Sequence, residues 1–380
     1  MIYFDNAATT FPKPTVVTDK LLEVVTGYCA NPGRSGHKFA LKMDREIFDV
    51  RDRLTKFVNG TNTMNTIFTF NGTDSLNIAI KGVVKEGMHV ITTSMEHNSV
   101  LRPLKELERR ALIELTIVEG NQQGMVEPED IEKSIKPNTG IIVTTHMSNL
   151  TGTILDIEKI GQIAANYNII YIVDAAQSIG VLDIDVQKMN IDILCFPGHK
   201  GLLGPMGTGG LYIREGLELD HIKEGGTGSF SSDPLQPSIY PDRLECGTSN
   251  GPGIIALGEG LKFIEEVGLE NIREHEESLK NLFIENILDD KDFKLYGTLD
   301  NRQGAVVSLN LKDMDSSELG YILSEDYEIF IRPGLHCAPL AHKSIGTTDF
   351  GAARFSFGYF NTDKEVLEAV RILKEIAKEY

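Results

Sequence analysis

Between residues 66 and 213 seven short β-branched runs alternate with amphipathic stretches: TIFTF (66–70), HVITT (89–93), LIELTIV (112–118), GIIVTTH (140–146), IIYIVD (169–174), DILCF (192–196) and GGLYI (209–213). This rhythm constrains the fold more than any other feature. Strands separated by helix-length segments are joined by crossovers and pair mostly in parallel. IIYIVD is apolar at consecutive positions rather than alternate ones, so both faces of such a strand must be covered. The expectation is an α/β fold with a mostly parallel central sheet flanked by helices. Ligands should gather beyond the C-terminal ends of the strands.

The pattern changes between 225 and 253, where GGTGSFSSDPLQPS (225–238) and GTSNGPG (247–253) concentrate Gly, Ser and Pro into a long loop and then a boundary. Beyond it a smaller α+β unit is expected: a helical pattern over 254–287, strands AVVSLN (305–310), EIFIR (328–332) and ARFSFG (353–358), and a last helix opened by a Thr362/Glu365 capping box. Residues 16–250 are expected to form the large domain, and 1–15 with 251–380 the small one.

Composition narrows the function. Lys and Arg total 37 against 55 Asp and Glu, a formal charge of −18, which repels nucleic acid and anionic lipid at long range. Any anionic ligand must therefore be held by a local cluster. No apolar run reaches the ~18 residues that would cross a bilayer, and MIYFDNAATT has neither a basic start nor a cleavage site, so a cytoplasmic protein is expected. The four cysteines, at 29, 195, 246 and 337, form no C-x-x-C pair and no Cys/His metal spacing. That pattern fits a reducing compartment and no metal.

The chemistry-bearing residues fall just after the strands. GHKGLLGPMGTGG (198–210) matches neither dinucleotide nor P-loop spacing. NGTDSLN (71–77) is a better anion site: it follows TIFTF and opens a helix, whose free N–H groups at Gly72 and Thr73 and Thr73 hydroxyl can hold a phosphate. The plain reading of Thr73 is an N-cap, and local sequence favours it. Asp174 ends the most apolar strand with Gln177 three residues on; a carboxylate there needs a cation or donors, whether a ligand's or an ordinary ion pair's. Lys200 sits in the glycine-rich turn FPGHKG after DILCF, where low-dielectric walls ease loss of its proton and allow a Schiff base, although most lysines are merely solvated. Together, a phosphate site, an acid for a ring nitrogen and an imine-forming amine are what pyridoxal 5′-phosphate needs. His97, in SMEHNSV, can stack on such a ring or be structural. Cys337 lies in RPGLHCAP (332–339) with Arg332, His336 and His342 nearby, a cationic neighbourhood that favours the thiolate, whereas Cys195 lies inside a strand. Arg354, in ARFSFG, is either a bidentate carboxylate clamp or a salt-bridge partner.

With these residues in place the chain resembles, from residue 3 to its end, the cysteine desulfurase and selenocysteine lyase family of the class V aminotransferase group. YFDNAATT, NGTDSLN, MEHNSV, HMSNLTG, VDAAQSIG, FPGHKGLLGPMG, LECGTSN, RPGLHCAP and ARFSFGYFNT look like the family's motifs, in its order. The resemblance implies a large pyridoxal-phosphate-binding domain in a homodimer. Lys200 would hold the cofactor covalently, Asp174 would pair with the pyridine nitrogen, Gln177 and Asn149 would reach its hydroxyl side and His97 would stack on the ring. Thr73 and His199 would bind phosphate, joined by Thr248 from the other subunit. Arg354 would clamp the substrate carboxylate, with Arg332 next to it as a second candidate. Cys337 would accept sulfur from L-cysteine, leaving L-alanine, and could pass it to an acceptor protein. Selenocysteine lyase activity at the same site, another class V reaction, and a non-catalytic assembly role are the alternatives. Two positions depart from the family: Pro197 stands where a serine commonly precedes Gly-His-Lys, and Pro339 follows Ala338 directly.

Overall fold

A computed structural model of the chain describes residues 1–33 and 36–380. Its central sheet has seven strands: β2 (Thr66–Thr69), β3 (Met88–Thr93), β4 (Ile113–Val118), β5 (Thr139–Thr145), β6 (Ile170–Asp174), β7 (Ile193–Pro197) and β8 (Gly209–Ile213). They lie in the order β2-β8-β7-β6-β5-β3-β4, all parallel except β8, which runs antiparallel between β2 and β7. Each expected run from 66 to 213 is thus a strand of one mostly parallel sheet.

Helices cover both faces. The helices of the described residues are α1 (Thr15–Gly27), α2 (Lys38–Phe57), α3 (Gly72–Val83), α4 (Asn98–Arg109), α5 (Pro128–Lys133), α6 (Ile157–Asn166), α7 (Gly251–Val267), α8 (Leu269–Ile287), α9 (Ser316–Tyr327), α10 (Pro339–Ile345) and α11 (Asp363–Glu379), of which α8, α9 and α11 pack chiefly on the C-terminal sheet described below. The consecutive apolar residues of IIYIVD divide between the two faces. Ile172 packs in one cluster with Leu76 and Ile80 of α3 and Leu104 of α4. Tyr171 and Val173 pack in another with Val50 and Leu54 of α2, Ile160 of α6 and Leu257 of α7. Full burial of one such side chain is worth roughly 1.5–3 kcal/mol, so two-sided burial anchors these strands in the core.

The C-terminal region builds a four-stranded antiparallel sheet in the order β12-β13-β10-β9, from β9 (Phe293–Tyr296), β10 (Val306–Leu311), β12 (Arg332–Gly334) and β13 (Ala352–Ser356). Phe283, Leu309, Phe355 and Leu373 fill a second core beneath it, together with Phe4 from the N-terminus. The N-terminus joins this region as β1 (Ile2–Tyr3), parallel to β11 (Ile329–Phe330). Thr362 and Glu365 form the expected capping box at the start of α11.

Two expectations are corrected. The run EIFIR is two strands in two sheets, β11 and β12, parted at Ile331. Pro333 has no N–H to give a second neighbour, and β12 accordingly takes an edge of its sheet. The helical pattern over 254–287 is two helices, α7 and α8, broken at Gly268, whose φ of 91° ends one and starts the other.

Candidate active site

The C-terminal ends of five parallel strands converge on one cavity. β2 leads to Gly72 and Thr73, β3 to His97, β5 to Asn149, β6 to Asp174 and Gln177, and β7 to His199 and Lys200; all eight side chains or backbones line a space of about 180 Å³. Pro197, the last residue of β7, forms part of the same wall and stands 3.3 Å from where a side chain on Gly72 would begin, so the backbones approach closely there. Asn71, not Thr73, caps α3, accepting the Asp74 N–H at 2.9 Å. Thr73 is left exposed at the mouth with its carbonyl taken by Asn77.

Burial tunes the groups inside. It pushes the Lys200 ammonium down from 10.5 to about 8, with Arg354 adding to the shift and Asp174 opposing it. Asp174 is buried, and desolvation raises its carboxyl above the usual carboxylate range against the pull of the Ala176 N–H (2.9 Å) and Lys200. Each of this pair needs the other or a ligand to carry its charge. His97 is held down to about 4 by burial and then by Lys200 and neighbouring arginines, so it is neutral. Its Nδ1 accepts the Ser99 N–H at 3.0 Å as the cap of α4, which leaves the hydrogen on Nε2. His199 is also neutral, lowered to about 4 by burial first and Lys200 second, and its buried Nδ1 has no hydrogen-bond partner. Lys13 donates to the His199 carbonyl at 2.6 Å, strapping the N-terminal segment over the turn that carries Lys200.

The C-terminal sheet supplies cations. Arg332 of β12 and Arg354 of β13 stand directly opposite in an antiparallel pair, an arrangement of like charges that costs stability unless an anion shares it. Arg354 is fully buried, donates to Asp5 Oδ1 and to the Asn149 carbonyl, each at 2.8 Å, and keeps its Nε unpartnered. Desolvation pushes it down to about 10. Arg354 is therefore in an ion pair, as one of the two sequence readings has it, and also retains an unpartnered Nε.

Cys337 is exposed on the loop after β12, its Sγ 3.9 Å from Arg332 Nη2. His336 and Cys337 are consecutive left-handed residues, φ 50° and 55°, a strain of about 1–2 kcal/mol each for non-glycine backbone. Bonds from elsewhere hold them: Asn149 Nδ2 donates to the His336 carbonyl and the Asn98 N–H to the Cys337 carbonyl, both at 2.7 Å. Asn149 thus ties the cysteine turn to the cavity through one of its two amide hydrogens. The cationic neighbourhood expected around Cys337 is corrected. His336 and His342 are buried, both pushed well below the ordinary histidine value by desolvation, and are neutral; Arg332 is the cation beside the thiol.

Thr248 is exposed in the loop ahead of α7 and does not line the cavity. Cys195 is buried in β7. Asp5 and Lys13 were not singled out in the sequence; an arginine buried in a strand demands an acid, and YFDNAATT carries one.

A family model described as aminotransferase class-V matches residues 2–368. A probable cysteine desulfurase of Methanothermobacter thermautotrophicus is 33% identical over 382 residues, spanning 99% of this chain and 94% of that protein. The cysteine desulfurase IscS of Vibrio vulnificus is 30% identical over 400 residues, spanning 98% and 93%. The apo structure of a cysteine desulfurase from Thermococcus onnurineus NA1 superposes with a TM-score of 0.93 at 33% identity, covering 100% of this chain and 95% of that one. The chain belongs to the aminotransferase class-V family, in its cysteine desulfurase group.

Proposed function

We propose that this protein is a pyridoxal-phosphate-dependent cysteine desulfurase that converts L-cysteine to L-alanine and leaves the sulfur on Cys337 as a persulfide. The observation that carries the reading is the Asn149 link: one side chain lines the cavity of Lys200 and Asp174 and bonds the carbonyl next to Cys337, so the amine, the acid and the thiol belong to one site.

The residues fit the cofactor. The buried, unpartnered Nδ1 of His199 and the free N–H groups at the start of α3 suit a phosphate, and Pro197 leaves that task to them. Asp174 suits a protonated ring nitrogen, because a buried carboxylate is stabilised by a positive hydrogen-bond donor. When bound, pyridoxal phosphate supplies an electron sink for the pair released at the substrate Cα. Lys200, with its amine lowered to about 8, is basic enough to take that proton and acidic enough to return it. Arg354 offers its Nε to the substrate carboxylate, with Arg332 as neighbour. The Cys337 thiolate attacks the substrate sulfur; the S–S bond forms as the C–S bond breaks, and the pair left on the carbon takes a proton to give alanine. The exposed position of Cys337 then allows transfer to an acceptor.

The proposal extends to a homodimer in which Thr248 of a second copy completes the phosphate site. Support comes from its exposure on a loop that also shows Phe230, Leu235 and Ile239 to solvent. Among the described residues no helix is long and apolar enough to cross a membrane; with four free cysteines, a cytoplasmic setting is part of the reading. Product analysis tests it: L-cysteine with a reductant should yield alanine and sulfide in equal amounts. L-selenocysteine is run beside it, and turnover of that amino acid alone would assign the site to selenocysteine lyase. Amino-group transfer to a 2-oxo acid would overturn the reading.

A further inference from the structure

We infer that His342, backed by Thr347, is a positioning residue that holds the Cys337 turn in its reactive shape, acting through His336. The inference rests on the reading of Cys337 as sulfur acceptor.

A chain of three hydrogen bonds carries it. His336 Nε2 lies 2.8 Å from the Arg332 carbonyl, His336 Nδ1 lies 3.2 Å from His342 Nε2, and His342 Nδ1 lies 2.7 Å from Thr347 Oγ1. A carbonyl only accepts, so the first bond places the hydrogen of His336 on Nε2. A neutral ring then leaves Nδ1 as an acceptor. His342 must donate to it from Nε2, and its own Nδ1 accepts from the Thr347 hydroxyl. The order is unique from end to end, and each ring is neutral, as burial requires of both. The rings lie nearly parallel, 8° apart, so the bond runs edge to edge.

The chain closes a small bracket. His342 sits on α10, which starts two residues after Cys337, and Thr347 follows the left-handed Gly346 that ends that helix. The bracket ends on the carbonyl of Arg332, the residue whose guanidinium lies beside the Cys337 thiol. It therefore fixes three things together: the strained backbone at 336 and 337, the place of the thiol and the place of its cation. Without the His342 donor, the buried Nδ1 of His336 has no partner, and a ring that turns to find another gives up its Nε2 bond to the Arg332 carbonyl.

The test compares alkylation of Cys337 and Cys29 by iodoacetamide in one chain, read by peptide mass spectrometry, since both thiols are exposed. H342F should lower the Cys337/Cys29 rate ratio about tenfold, the scale of one unsatisfied buried acceptor. H342Q, whose amide can still donate, should restore the ratio to within about threefold of the parent. In turnover kcat should fall with KM for cysteine kept, because His342 does not face the substrate. An unchanged ratio in H342F overturns the inference; if H342F does not fold, T347V decides it, with a fall of about threefold expected and no change refuting it. A parent enzyme that accumulates no persulfide on Cys337 refutes the sulfur-acceptor reading instead, and the alkylation ratio still reports on the turn.

Discussion

Arg354→Lys separates a carboxylate clamp from a structural ion pair. In the parent the guanidinium donates from Nη2 to Asp5 and from Nη1 to the Asn149 carbonyl, and its Nε, which has no partner, remains for a ligand. Lysine keeps the charge but offers a single ammonium on a different reach, so it cannot serve the Asp5 carboxylate, the Asn149 carbonyl and a substrate carboxylate from one planar group. A charge-assisted bond to the substrate is worth about 1.5–3 kcal/mol, which corresponds to a fall in kcat/KM of roughly ten- to hundredfold. The Asn149 carbonyl, left without its donor, costs a further 1–3 kcal/mol or so of folding stability. Two assays read these separately: alanine formation from L-cysteine for the first, and urea unfolding for the second. The visible absorbance of bound cofactor, which depends on Lys200 and Asp174 instead, should persist. A variant with parental kcat/KM and lowered stability would refute the clamp and make Arg332, its cross-strand partner, the next candidate.

Three further outcomes follow from the site. The amine of Lys200 must be neutral to bind an aldehyde, so reloading of cofactor-free protein with pyridoxal phosphate should accelerate as pH rises with a midpoint near 8; a midpoint near the ordinary lysine value of 10.5 would contradict the depressed amine. Glu245→Ala removes the partner of buried Arg51 (2.5 and 3.0 Å) and the acceptor of the Phe68 N–H (2.6 Å), and should cost about 3 kcal/mol in urea unfolding, with under about 1 kcal/mol counting against it. Thr248→Ala should weaken cofactor retention on dialysis while sedimentation still shows a dimer; full activity in a monomeric parent would refute the shared site.

The sheet was legible because parallel strands buried on both faces leave a signal that only a covered strand produces, as Tyr171, Ile172 and Val173 illustrate by packing alternately on two sets of helices. The convergence of residues on one cavity was legible for a related reason: crossovers return the parallel strands to the same edge, so residues just after β2, β3, β5, β6 and β7 meet. What was not legible depends on long-range pairing. β1 is two residues long and exists only because β11 lies beside it, and EIFIR looks like one strand until Pro333 is seen to need an edge. The histidines near Cys337 read as cations in sequence because their charge is set by burial, which spacing does not report; both turn inward and are neutral. Asp5 lies 349 residues from Arg354 in the chain, a separation at which no local pattern links an acid to its base.

The central claim is that sulfur leaves cysteine for Cys337. One equivalent of L-cysteine is added to the cofactor-loaded enzyme without reductant, the chain is digested, and the peptides containing Cys29, Cys195, Cys246 and Cys337 are weighed. One added sulfur atom is expected on the Cys337 peptide alone, with a matching amount of alanine in solution, and neither in Cys337→Ser. Alanine released by Cys337→Ser at the parental rate, or the extra sulfur on another cysteine, would contradict it.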